Sequence, residues 1–191
     1  FTHFHHDHIQ GFPFNHGLFS EGQKISVSSA LHDKNTTSAV LKRYFSDCFF
    51  PVNIFETLNH LSVQSFDDAV NTLRRDVEIS FVNLEHPGGA VGYSFVKKNK
   101  KVVILLDNEF QESQLDGLFE FCTGADLLIW DGMFTEDELL NKRGWGHSSV
   151  EQAEKFTMLC DVKKTVICHH APHRSDTDID ELESRISSDR V

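Results

Sequence analysis

Apolar and polar positions divide the chain into an irregular first part and a more regularly patterned remainder. Residues 25–31 alternate weakly, as a half-buried strand does. Residues 36–47 place Val40, Leu41, Tyr44 and Phe45 on one helical stripe behind a Thr start, and Phe49, Phe50 and Pro51 end it. Short runs at 54–58 and 61–64 predict strands. Residues 65–75 predict a helix with Asp67 and Asp68 in its first turn, where carboxylates meet the positive end of the helix dipole. Further on, 77–84, 92–96 and 102–106 are β-rich, the last two joined by a basic turn from Lys97 to Lys101 that reads as a solvated hairpin tip, or as a small contact for a substrate phosphate. Strands at 126–130 and 164–168 alternate with helices at 111–121, 135–142, 148–160 and 177–187, and Ser148 with Glu151 has capping-box spacing at the start of the third. This interleaving predicts an α/β fold. With no repeat, low-complexity tract or linker, it predicts one domain over 1–191.

Composition narrows the function. A chain of 191 residues can bury enough apolar surface to fold without cross-links. Its cysteines, Cys48, Cys122, Cys160 and Cys168, are far apart and form no CxxC pair, which fits a reducing, cytoplasmic setting better than a disulfide framework. No leader and no apolar run of membrane-spanning length is evident, so a soluble protein is expected. The net charge of −11 argues against a large nucleic-acid surface, because phosphate contacts need clustered Lys and Arg. It leaves room for a small anionic substrate, since bound cations reverse the local potential of an acidic pocket. A homo-oligomer is compatible with this composition.

Histidine changes the picture. The chain has twelve, four of them in the first eight residues, in the order His3, His5, His6, His8 with Asp7 interleaved. On an extended chain His3 and His5 point to one face. Where that strand ends and the chain turns, Asp7 and His8 can swing toward a second point, so one segment can serve two metal ions. His16, His32 and His60 lack partners at useful spacing.

The run THFHHDHIQGFPF resembles the signature of the metallo-β-lactamase superfamily, in its phosphodiesterase and ribonuclease Z-like branch. Later segments follow the family's order. His86 stands in LEHPGG at a predicted strand end, Asp107 in LLDNE after the next strand, and His169 in VICHH after a late one, with His170 as the alternative. IWDGMF and GWGHSS resemble two further segments of ribonuclease Z and its relatives, which makes Asp131 and His147 a proton-handling pair. His173 and Arg174, just after the last ligand, either reach the substrate or sit in a plain loop.

The resemblance implies an αββα sandwich, its first strands lying upstream of Phe1, and two divalent cations, zinc first with manganese or iron as alternatives. His3, His5 and His86 would hold one ion and Asp7, His8 and His169 the other, with Asp107 bridging and Asp7 also counted as catalytic. A hydroxide shared by the ions would then attack a small or cyclic phosphodiester, with His147 held by Asp131 as proton donor. One alternative is tRNA 3′-end processing. Against it, only a short hairpin separates His86 from Asp107, where ribonuclease Z commonly carries its tRNA-gripping arm. A non-catalytic metal and nucleotide sensor is another, and lactone or thioester hydrolysis a third.

Overall fold

A computed structural model describes residues 1–20 and 22–191. The fold is mixed α/β, and the chain divides into two compact units, residues 1–75 and 76–191. Among the described residues no helix is long and apolar enough to cross a membrane.

The first unit opens without a strand. Residues 1–5 are unassigned, the Phe1 amine donates to the Ser28 carbonyl at 2.8 Å, and a single turn of helix, α1 (His6–Ile9), follows directly. His3 and His5 lie on a segment assigned to neither helix nor strand, where a strand end was expected, and Asp7 and His8 sit on a helical turn instead of a loop. After two 3-10 turns come β1 (Ile25–Val27), α2 (Lys34–Tyr44), α3 (Ile54–Thr57), β2 (Leu61–Val63) and α4 (Phe66–Leu73). β1 and β2 pair in parallel. Around them Ile9, Leu18, Leu41, Phe45, Ile54 and Leu61 form a buried cluster.

Two expectations fail here for local reasons. α2 starts ahead of the predicted Thr because Asp33 is the N-cap, its Oδ1 accepting the Asn35 and Thr36 amides at 2.7 and 2.9 Å. The Thr36 hydrogen bonds, with that from Asn35, hold the Asp33 carboxyl below its ordinary value. The strand expected at 54–58 is one helical turn, with the Glu56 and Thr57 amides donating to the Asn53 carbonyl. Five residues cannot separate the two periods, and burial of Ile54 in the cluster decided between them.

The second unit holds β3 (Glu78–Leu84), β4 (Ala90–Lys97), β5 (Lys100–Leu105), α5 (Leu115–Cys122), β6 (Leu127–Asp131), α6 (Glu136–Leu139), α7 (Val150–Leu159), β7 (Thr165–Cys168) and α8 (Asp176–Arg185). Its five strands form one sheet in sequence order. Lys98 and Asn99, at φ 48° and 62°, close the β4–β5 hairpin with the two positive dihedrals of a type I′ turn, whose twist matches that of the strands. Leu118 and Cys122 of α5 and Ala153, Phe156 and Cys160 at α7 pack with Val103, Leu105, Leu128 and Trp130 of the sheet.

The starts of α6, α7 and α8 differ from the prediction by one or two residues, and α5 begins four residues after its predicted start. α7 is capped by Ser149 with Gln152, not by Ser148 with Glu151. Ser148 is instead buried, its Oγ donating to the Asn108 carbonyl and accepting from the Phe110 amide at 3.2 Å. The helix expected at 135–142 is the single turn α6.

The topology decides where chemistry can collect. β4 is antiparallel to both β3 and β5, while β6 and β7 continue parallel to β5. Four of the five strands therefore run the same way. Their carboxyl ends, at Leu84, Leu105, Asp131 and Cys168, share one edge of the sheet.

Candidate metal centre

That edge carries the second unit's predicted residues. His86 lies two residues past β3, Asp107 two past β5, Asp131 at the last position of β6 and His169 immediately after β7. Asp107 and His169 adopt φ of 56° and 59°, a left-handed conformation that costs a non-glycine residue about 1–3 kcal/mol and persists only where the surroundings enforce it.

Asp107 is 2% exposed, and its two oxygens face different partners. Oδ2 is 3.6 Å from Nε2 of His86, and Oδ1 is 3.5 Å from Nε2 of His169. Those separations exceed the roughly 2.7–3.2 Å of an N–H···O hydrogen bond. They approach the about 3.3–3.4 Å that separates two ligands held about 2.0–2.1 Å from a tetrahedral ion. A buried carboxylate with one oxygen toward each of two imidazoles is a donor set suited to a bridging position. The atoms that Asp107, His147 and His169 offer all lie within 4.8 Å of one another. Of the two candidates after β7, His169 faces Asp107, whereas His170 lines a separate cavity bordered by α8.

His147 plays a different part. Its Nδ1 donates to Oδ2 of Asp131 at 2.8 Å, and Asp131, fully buried, also accepts the Asn108 amide at 3.2 Å and the Met133 amide at 3.1 Å. Three donors satisfy that carboxylate and fix it. With Nδ1–H committed to Asp131, the His147 ring is held in one tautomer, which makes Nε2 the nitrogen that would handle a proton or ligate a metal. The ring stacks on His169, with centroids 5.0 Å apart.

His86 is oriented from behind. Its Nδ1 lies 2.8 Å from the Gly146 carbonyl oxygen. A carbonyl only accepts, so Nδ1 carries the proton and Nε2 presents its lone pair on the side of Asp107, as a metal-ligating histidine requires. Gly146 has φ 85°, and a Cβ there would stand 2.2 Å from His86 Nδ1 and 2.3 Å from Pro87 Cδ. Gly146→Ala is therefore expected to cost about 1–3 kcal/mol in backbone strain alone and to displace the His86 ring. A lowered denaturation midpoint together with weakened metal binding checks this.

In the first unit, one segment gathers three imidazoles. The His3 ring is 4.5 Å from that of His5 and 4.3 Å from that of His8, centroid to centroid. His3 is buried, and Asp7 Oδ2 stands 3.3 Å from His8 Nε2. His6 turns away to Tyr44, whose hydroxyl meets its Nδ1. His60 is bound to the Leu18 carbonyl at 2.6 Å and His32 stacks on Phe4, so both have structural partners.

The structure corrects one option and adds one feature. Arg174 donates to the Met133 carbonyl at 3.2 Å and pairs with Glu138, so it is tied to α6 and not available to a substrate. Burial alone would raise the Glu138 carboxyl, but the Thr135 amide and the Arg174 guanidinium outweigh it and hold it below its ordinary value. The sequence reading missed Asn108 and Glu109. Asn108 Oδ1 accepts the Glu85 amide and Gln114 Nε2, and Glu109 Oε2 accepts the Gly144 and Gly146 amides. Their only signal was adjacency to Asp107.

The sequence model of the beta-lactamase superfamily domain matches residues 1–170. The chain belongs to that superfamily. It is a metallo-β-lactamase superfamily hydrolase, and the superfamily's enzymes are metal-dependent. Ribonuclease Z of Prochlorococcus marinus (strain MIT 9301) is 24% identical, over 90% of this chain and 69% of that protein. Among solved structures, the metallo-beta-lactamase fold protein YhfI from Bacillus subtilis superposes with a TM-score of 0.66 at 17% identity, covering 98% of this chain and 70% of that one. The short form of human tRNase Z gives 0.63 at 22%, covering 89% and 70%. At these identities the superpositions establish the fold.

Proposed function

We propose that this superfamily member is a dinuclear metal-dependent phosphodiesterase acting on a small or cyclic phosphodiester. The observation that supports it most is Asp107, buried, with one oxygen toward His86 and the other toward His169. In this reading His3, His5 and His86 hold one cation and Asp7, His8 and His169 the other, with Asp107 shared. Zinc suits this nitrogen-rich set, with manganese or iron as alternatives. When bound, two such cations polarise the phosphoryl group and acidify water between them.

The protein's own residues do the rest. His147, held by Asp131, delivers a proton to the departing alkoxide, and Asp131 then balances the charge on the ring. The net charge of −11 disfavours a large nucleic-acid partner, and four cysteines without a disulfide suit the cytoplasm.

Processing of tRNA is the second reading, favoured by the name of the Prochlorococcus relative. Against it, the hairpin of β4 and β5 fills the interval between His86 and Asp107 with a two-residue turn. The test is hydrolysis of bis(p-nitrophenyl) phosphate and a cyclic nucleotide beside a precursor tRNA. Turnover of the small diesters, abolished by a chelator and restored by zinc or manganese, is expected. Cleavage of the precursor alone would favour the second reading, and nucleotide binding without product a sensor.

A further inference from the structure

We propose that Glu109 is a positioning residue that sets the ligating direction of His86, acting through the backbone of Gly146. The chain of contacts is short and continuous. Glu109 is anchored two residues past Asp107, and its amide donates to the Glu85 carbonyl at 2.7 Å, which ties the two strand-end segments together. One oxygen, Oε2, accepts from both the Gly144 amide at 2.7 Å and the Gly146 amide at 3.0 Å. The next link is the Gly146 carbonyl, which takes the proton on His86 Nδ1.

Glu109 therefore holds a loop that lies outside helix and strand, where the Trp145 amide donates to the Lys142 carbonyl at 3.2 Å. The segment from Gly144 to His147 lies between α6 and α7, and both its glycines have positive φ, at 83° and 85°. Glycine loses more conformational freedom on ordering than other residues, so such a loop drifts unless something fixes it. Two amides converging on one carboxylate oxygen fix it, with charge-assisted bonds roughly twice as strong as neutral ones. The same loop carries His147, so one side chain sets both the ligand orientation of His86 and the approach of the proton-handling pair. Glu109 is half-buried and borders a recess of about 230 Å³ with Glu85, Gln111 and His86, so changing it removes an anchor without opening the core.

This rests on the metal-binding part of the proposed function and is independent of the substrate. Its test is zinc affinity, measured by competition with a chromophoric chelator, on the full chain with Glu109→Ala, Glu109→Gln and Glu109→Asp. Glutamine keeps an acceptor oxygen at the same reach, whereas aspartate keeps the charge but is one carbon shorter. Alanine and aspartate are expected to weaken affinity by about 10–100-fold, the usual loss when the group behind a ligating histidine goes, and glutamine to restore most of it. Nitrogen NMR of the His86 ring is the second readout: the Nδ1–H tautomer is expected to persist in wild type and the glutamine variant and to be lost in the other two. Wild-type affinity in the alanine variant, a glutamine variant no better than aspartate, or weakened affinity with an unchanged His86 signal would overturn the proposal. Should alanine fail to fold, the order of glutamine and aspartate decides. Neither measurement uses a phosphodiester, so an enzyme inactive on every diester tried would defeat the proposed function and leave this result standing.

Discussion

Asp107→Asn is expected to abolish hydrolysis while making the metal-free protein more stable. The amide removes the negative charge that a bridging position needs, so activity should fall by more than the 10–100-fold that loss of an outlying partner costs, that is, by over about a hundredfold. At the same time it takes a charge from a site only 2% exposed. Asparagine also accepts the residue's φ of 56° as readily as aspartate does. A gain of about 1 kcal/mol would raise the melting temperature of the metal-free protein by about 2–4 °C in a chain of this size. The opposite movement of activity and stability marks a residue kept for function at a cost to the fold. Metal analysis and thermal melting check it together. A variant with full metal content and normal turnover would remove Asp107 from the chemistry.

His147→Ala is expected to lower kcat by about 10²–10⁴, the range for loss of a positioned general acid, with metal content unchanged. The size of the loss should follow the leaving group. An alkoxide, as from a cyclic nucleotide, needs a proton as it departs, whereas p-nitrophenolate does not, so bis(p-nitrophenyl) phosphate should be affected much less. Asp131→Asn should reproduce most of the loss, because an amide can no longer balance the charge on the protonated ring, and the double variant should be little worse than either single one. Equal losses on both leaving groups, or metal lost together with activity, would instead make His147 a ligand.

The legibility of the chain varied with how far each feature depends on distant residues. The strands after residue 76 were readable because each is a β-rich run bounded by turn residues, and the Lys97 to Lys101 hairpin announced itself by its polar tip. Residues 54–58 misled because an isolated turn of helix and a short strand leave the same apolar trace, and only the packing of Ile54 separated them. The shift from Ser148 to Ser149 at α7 has the same origin: adjacent serines are equivalent as caps until one hydroxyl is claimed by Asn108.

By itself, then, the sequence determined the α/β class, the family and the kinds of side chain available to a metal, because motif spacing and residue chemistry are local properties written along the chain. Only tertiary structure decided that His86, Asp107, Asp131 and His169 share a sheet edge, since this follows from β4 alone running against its neighbours. It also decided that His169 and not His170 faces Asp107, and that Glu109 reaches the loop of Gly146. Those are pairings between segments far apart in sequence, and their geometry exists only once strand direction and loop closure have been set by packing.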